Sequence, residues 1–301
     1  MKKVRVEAST KKDRSCEIFG NPMSKKVIRK AQKSKQRNQK KYGDDSKVNY
    51  QCIIRENPCI GESLGVKNVV VTRKEGKGSF DEEKGVIVGN IRMGFGHYRI
   101  SMAIASAAHA LGYTPYWMDL NSYPETTCTK LISAQNELYS LGSRISQKSK
   151  LFNKFVWEPV NYEGFRQLSY NAADQKNAEL MAPVYHSVPK DIPVIATHVW
   201  PAQAAVHAGM KHVVNAIPDN WPMALHYAQG SLHTVQTHYA YQGYRIGNGM
   251  MKDKVVQAMP PQDLMYTGHY IDHELAANIE KDCEARLSRL KNGEAMRFLL
   301  T

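Results

Sequence analysis

Between Lys84 and Ile271, short continuous apolar runs alternate with stretches in which apolar residues recur every third or fourth position. The run "GVIVGN" at 85–90 has the pattern of a strand buried on both faces. After it, Ile100, Ala103, Ile104, Ala107, Ala108 and Leu111 share one face of a helix, and Gly112 supplies the stop. "TPYWMDL" predicts a second strand ending at Asp119. Strand, glycine turn, helix and strand make a βαβ unit, whose crossover is right-handed. Residues 128–182 read as helical with polar loops, and "IPVIATHVW" (Ile192–Trp200) as a strand entering a loop. A helix follows near "PAQAAVHAGM", and then strands at "KHVVNAIPDNW", "LHTVQTH" and "LMYTGHYI". This alternation predicts an α/β fold, a Rossmann-like open parallel sheet with its ligand crevice beyond the strand carboxyl ends. His97, Asp119, His198 and Asp219 all fall there.

Upstream the pattern weakens and charge takes over. Residues 1–48 hold 16 Lys and Arg against 5 Asp and Glu, so +11 of the net +13 lies there and the other 253 residues carry +2. Asn21-Pro22 reads as a helix start and Gly43 as a stop, with only Met23, Val27, Ile28 and Ala31 apolar between them. Two readings stand for 1–48: a partly disordered, solvated arm, or a polybasic segment drawn to an anionic membrane surface. Nucleic acid is the weakest reading, because aromatic residues for base stacking are nearly absent. Residues 49–84 form a short extension with one strand, "VKNVVVTR", and a polar linker.

Composition narrows the class. The chain has 301 residues, 42% of them hydrophobic, and a mean hydropathy of −0.50, all of which fit a soluble globular protein. No apolar run reaches the roughly 18 residues of a membrane span, and the basic N-terminus lacks a signal-peptide core, which points to the cytoplasm. Cys16, Cys52, Cys59, Cys128 and Cys283 are scattered and odd in number, which disfavours a disulfide scaffold or a zinc ribbon. His226, His233 and His238 lack zinc-ligand spacing, so no metal is expected there.

The turn "RMGFGHYRI" is the sharpest local signal. A dinucleotide fingerprint needs a third glycine three residues after Gly96, where Arg99 stands, and no Gly-Lys-Ser/Thr follows for a Walker loop. What remains is a bend at a helix N-terminus, with Gly94 and Gly96 leaving room beside Phe95 and with His97 at the edge. An imidazole there can accept a proton at neutral pH, or it can simply cap its helix.

Four segments in order carry a resemblance. "GVIVGNIRMGFGHYRISMAIASAAHALG", "ATHVWPAQAAV", "NAIPDNWPMALHYAQGSLHTVQTH" and "YTGHYIDHEL" resemble the monogalactosyldiacylglycerol synthase and processive diacylglycerol glycosyltransferase group. The departures are Val199 and Trp200 between His198 and Pro201, and Tyr270 where the group has proline. The resemblance covers roughly residues 84–275 and implies the N-terminal half of a GT-B fold, an acceptor-binding domain at 85–275. It implies His97 and Asp219 as catalytic candidates, with Gly94, Phe95, Gly96, Asp119, His198, Trp200, Trp221 and His226 on the acceptor side. It also implies transfer from a UDP-sugar to a membrane lipid such as diacylglycerol, without a metal or other cofactor, by a protein peripheral to the inner face of the membrane.

Residues 276–301 then read as a linker helix and the first strand of a donor domain that this sequence does not contain, so the chain alone is expected to be inactive. Two alternatives remain: a UDP-sugar 2-epimerase-like enzyme of the same fold, and a non-catalytic membrane-binding module. Trp117 and Trp157 read as core or cleft-wall residues, and Tyr239, Tyr241 and Tyr244 as an aromatic edge of the cleft or a surface turn, with the turn favoured.

Overall fold

A computed structural model of the protein describes residues 13–74, 76, 78–247, 250, 251 and 256–295. A small hairpin, β1 (Glu17–Ile18) and β2 (Asn21–Pro22), opens it and buries Ile18 and Phe19. Ser24 caps the helix α1 (Lys25–Tyr42) by accepting a hydrogen bond from the Val27 N–H, and Gly43 ends it. The start lies three residues beyond the Asn21-Pro22 signal, because those two residues are used by the hairpin.

Next come β3 (Gln51–Glu56), the single turn α2 (Gly61–Leu64), β4 (Lys67–Thr72) and β5 (Gly85–Asn90). Helix α3 (Phe95–Ala110) leads to β6 (Thr114–Asp119). The helical stretch resolves into α4 (Thr127–Lys148), the short α5 (Lys150–Phe152), two π-helical turns (Asn153–Trp157 and Pro159–Gly164) and α6 (Leu168–Met181). The chain continues with β7 (Val194–Ala196), α7 (Val199–His207), β8 (Val213–Ala216), β9 (Leu232–Val235), α8 (His238–Ile246) and β10 (Leu264–Tyr266). It closes with α9 (His273–Ala277) and α10 (Ile279–Lys291), while the strand read at the chain end lies outside the described residues.

The strands form one eight-stranded sheet in the order β10-β9-β8-β7-β5-β6-β4-β3, parallel throughout except for the β3–β4 pair. Residues 49–84 are therefore not a separate extension. The β4 strand pairs with β6 through Lys67↔Tyr116 and Asn68↔Trp117, and β3 completes that edge. From β5 the chain runs outward to β6, then returns to β7 on the other side of β5. That reversal makes the carboxyl ends of β5 and β7 the topological switch point, where such sheets bind ligands.

The largest core cluster joins Ile87, Met118, Leu131, Tyr185, Val194 and Trp200, and a smaller one beneath α3 joins Val66, Val88, Ala105 and Trp117. Helix α3 buries Ser101, Ala103, Ala105, Ser106 and Ala108, while Leu111 stands 75% exposed, so the buried face is rotated from the one read by hydrophobicity. Small residues let the helix lie close to the sheet, and the Ser101 hydroxyl is satisfied by the His97 carbonyl and the Thr197 hydroxyl.

Helix α1 is likewise not a solvated arm. Ala31 is buried, Lys35 pairs with Glu179 at 2.5 Å, and Asn38 bonds Asn177 at 3.0 Å, both partners lying on α6. Its basic residues Lys26, Arg29, Lys30, Lys33, Arg37 and Lys40 point outward, exposed, along a single stripe. Among the described residues no helix is long and apolar enough to cross a membrane.

Candidate functional site

The site forms where α3 and α7 begin, beside the switch point. Gly94 precedes α3 with φ of 77°, a conformation that favours glycine, and its helix start has no side-chain cap. A Cβ added at Gly94 or Gly96 would meet nothing within 4 Å, so the turn is open on that side. Phe95 is 86% exposed. His97 lies in the first helical turn, and its Nδ1–H donates to the Thr197 carbonyl at 2.7 Å. A carbonyl only accepts, so Nδ1 carries the proton and Nε2 keeps its lone pair. Burial holds the imidazole below its ordinary pKa, and the neighbouring His226 adds to this. The bond to Thr197 and the charge of Asp219 oppose the shift. The ring is therefore neutral at neutral pH.

His198 caps α7: its Nδ1 accepts from the Trp200 N–H at 3.2 Å, leaving the proton on Nε2. The ring packs edge-on against His97 and Trp200, with centroids 4.9 and 4.8 Å away. Burial, then the proximity of His97 and His226, holds it well below the usual histidine pKa.

Asp219 stands in the loop after β8. The His226 Nε2–H donates to its Oδ2 at 3.0 Å, and the Nδ1 of the same ring lies 2.7 Å from the Tyr244 hydroxyl. With Nε2 committed to a carboxylate, Nδ1 accepts and the tyrosine donates. The hydrogen bond from His226 holds the Asp219 carboxyl below its ordinary range, against the opposing effect of burial. Half of that side chain remains exposed, at 54%. The Asn215 amide fixes the loop by donating to the His226 carbonyl at 2.7 Å.

These groups line a cleft of about 1190 Å³ whose other walls are largely apolar and aromatic, among them Leu138, Trp157, Val160, Tyr162, Trp200 and Trp221. Trp221 packs against Tyr162 and Tyr239 at 5.8 and 5.9 Å, with the Arg166 guanidinium 5.5 Å from its ring. Behind the wall, the Trp200 indole N–H donates at 3.3 Å to the buried Asp174, whose carboxyl burial raises to about 7.

Of the residues singled out in the sequence, His97, His198, Trp200, Asp219, Trp221 and His226 meet in this cleft. Gly94, Phe95 and Gly96 form its adjoining rim at the start of α3, without lining it. Asp119 lies elsewhere. Its carboxylate accepts from Arg92 Nε at 2.6 Å, from the Ser122 hydroxyl at 2.8 Å and from the Asn121 N–H at 2.9 Å. So engaged, it closes the turn after β6, and it is not among the residues lining the cleft.

Tyr244 corrects the surface-turn reading: it is fully buried on α8 and holds His226. The signal was available, since Ala240 and Tyr244 lie one helical turn apart and Gly247 supplies a left-handed stop. Trp157, read as a core or cleft-wall residue, lines the cleft from a π-helical turn. His233 accepts from the Ala228 N–H and donates to the Asp263 carbonyl, and His238 stacks on Tyr266. Among the described residues no three His, Cys, Asp or Glu side chains gather to hold a metal ion.

The class so defined is an α/β protein with an imidazole–carboxylate cleft at the switch point of a mostly parallel sheet. The chain belongs to the family described as Domain of unknown function (DUF6937), whose model matches residues 17–246, and residues 259–301 match Domain of unknown function (DUF6938). The first match includes β1, β2 and α1, the elements that precede the sheet. No curated protein and no solved structure matches the chain at a significant level.

Proposed function

We propose that the cleft is the acceptor site of a GT-B-type glycosyltransferase that moves a sugar from a UDP-sugar to the hydroxyl of a membrane lipid such as diacylglycerol. The observation that carries this reading is the commitment of His97 Nδ1 to the Thr197 carbonyl within a largely apolar cleft. It leaves Nε2 as a proton acceptor where a lipid hydroxyl would be shielded from water. As the hydroxyl oxygen bonds to the anomeric carbon, its proton passes to Nε2. The bond from that carbon to the UDP oxygen breaks, and UDP leaves with the electron pair. Asp219, kept ionised by His226, stabilises the imidazolium that forms. The Nε2–H of His198 is available to an ester oxygen of the lipid, while the apolar walls accept its acyl chains. No metal or further cofactor has a part in this scheme.

Binding of a short-chain, water-soluble pyrenyl diacylglycerol, followed by energy transfer from tryptophan, tests the acceptor site without a bilayer. Saturable binding is expected, weakened about tenfold by Val160→Asp, which places a charge in the apolar wall. Absence of saturation, or indifference to Val160→Asp, would overturn the assignment.

A further inference from the structure

Beside the cleft, the end of α4, α5 and the first π-helical turn carry apolar side chains into solvent. Leu151 and Phe155 are 72% and 67% exposed, and Leu141, Ile145 and Val156 are exposed around them. This crest is built rather than loose. Trp157 turns inward to contact Tyr139 at a ring distance of 5.1 Å, and a Cβ at Gly142 would stand 2.3 Å from its ring. The glycine thus admits the indole, and the locked turn leaves Phe155 and Val156 facing out. π-Helical turns are uncommon and concentrate at functional places. A fixed, contiguous apolar patch of this kind marks a surface with a partner.

Charge identifies the partner. Arg144, Lys148, Lys150 and Lys154 are exposed among these apolar residues, whereas Glu158, the acid of this stretch, accepts a hydrogen bond from the Asn153 amide at 2.7 Å. Apolar side chains flanked by lysine and arginine on one amphipathic helical surface fit the headgroup and acyl boundary of an anionic bilayer. The exposed stripe of α1 offers charge without apolar side chains, and so only a weaker contact that salt screens.

We propose that this crest, and not the basic N-terminal segment, is the membrane-docking surface, with Leu151 and Phe155 entering the interface of an anionic bilayer. The contact does not depend on the reaction proposed for the cleft. Neither Leu151 nor Phe155 lines the cleft, so the two can be tested apart.

The test is co-sedimentation of the purified full chain with phosphatidylglycerol-rich vesicles and with phosphatidylcholine vesicles. The wild type should favour the anionic vesicles, and Leu151→Asp/Phe155→Asp should reduce partitioning about tenfold or more. Lys33→Glu/Arg37→Glu on α1 should change it less than about twofold at physiological salt. Should the aspartate pair fail to fold by circular dichroism, Lys148→Glu/Lys150→Glu, neither of which lines the cleft, replaces it, with a loss of several-fold expected. Full binding by the crest variants, loss only in the α1 variant, or no vesicle binding at all would overturn the proposal. So would light scattering that shows the crest buried in a dimer dispersed by Leu151→Asp/Phe155→Asp.

Discussion

His97 differs from its neighbour His198 in what it leaves uncommitted, an Nε2 lone pair rather than an N–H. His226 and His233 each engage both ring nitrogens, as His97 engages one. Burial lowers the pKa of His97, His207 and His233, the last two to about 4. Lowered histidines contribute stability that is present above their unfolded pKa of 6.5 and lost as pH falls towards 4. Asp174 works in the opposite direction. Its carboxyl, raised from 3.8 to about 7, takes up a proton in the folded state that the unfolded chain releases, so its contribution declines as pH rises through that window. Asp174→Asn removes that decline and leaves the histidine slope. Urea unfolding at about pH 5 and about pH 8 should show the variant gaining roughly 2–3 kcal/mol relative to wild type between the two. An unchanged difference would mean that Asp174 is ionised when folded. None of this was legible in the sequence, where Asp174 is one polar residue in a helical stretch and its isolation comes from packing by distant elements.

At the scale of elements, α4 and the π-helical turn after it shape the mouth of the cleft through one contact. Gly142→Ala would put a methyl group into the space of the Trp157 ring. Overpacking of this kind costs about 1–3 kcal/mol, and here the yielding part is the wall of the cleft. The expected outcome is a drop in unfolding free energy of that size, together with weaker diacylglycerol binding and a changed near-ultraviolet tryptophan signal. Stability and binding equal to wild type would show that Trp157 is not wedged there. The sequence disclosed elements unevenly, for physical reasons. Strands buried in the sheet are continuous apolar runs, so β5, β6 and β8 stood out, and His97 and Asp219 could be placed beyond the ends of β5 and β8. The inward faces of α1 and α3 use Ala31, Ser34, Asn38, Ser101 and Ser106, which a count of large apolar residues does not register. The β3 strand is a partly exposed edge, and a π-helical turn has no distinct residue pattern.

For the whole molecule, the consequence is a unit larger than the one suggested by composition. The family match from residue 17 takes in α1, and its contacts with α6 tie the basic segment to the helical layer that forms the back of the cleft. Charge composition correctly located the lysines and arginines but said nothing of the stripe on the other side of the helix. The cleft, the crest and the docked helix then form one body, and the proposed function has an acceptor lipid taken up there beside a membrane and deprotonated by His97. The most direct measurement is transfer of radiolabelled sugar from UDP-sugars to diacylglycerol in anionic vesicles, with the chain joined to a UDP-sugar-binding donor domain of the kind the sequence reading expects, comparing wild type with His97→Gln. Labelled glycolipid is expected from the wild type, with a fall of about 100-fold or more in the variant while its affinity for the soluble diacylglycerol is retained. Glycolipid formed equally by the variant, or UDP-sugar consumed without any glycolipid, would contradict the account.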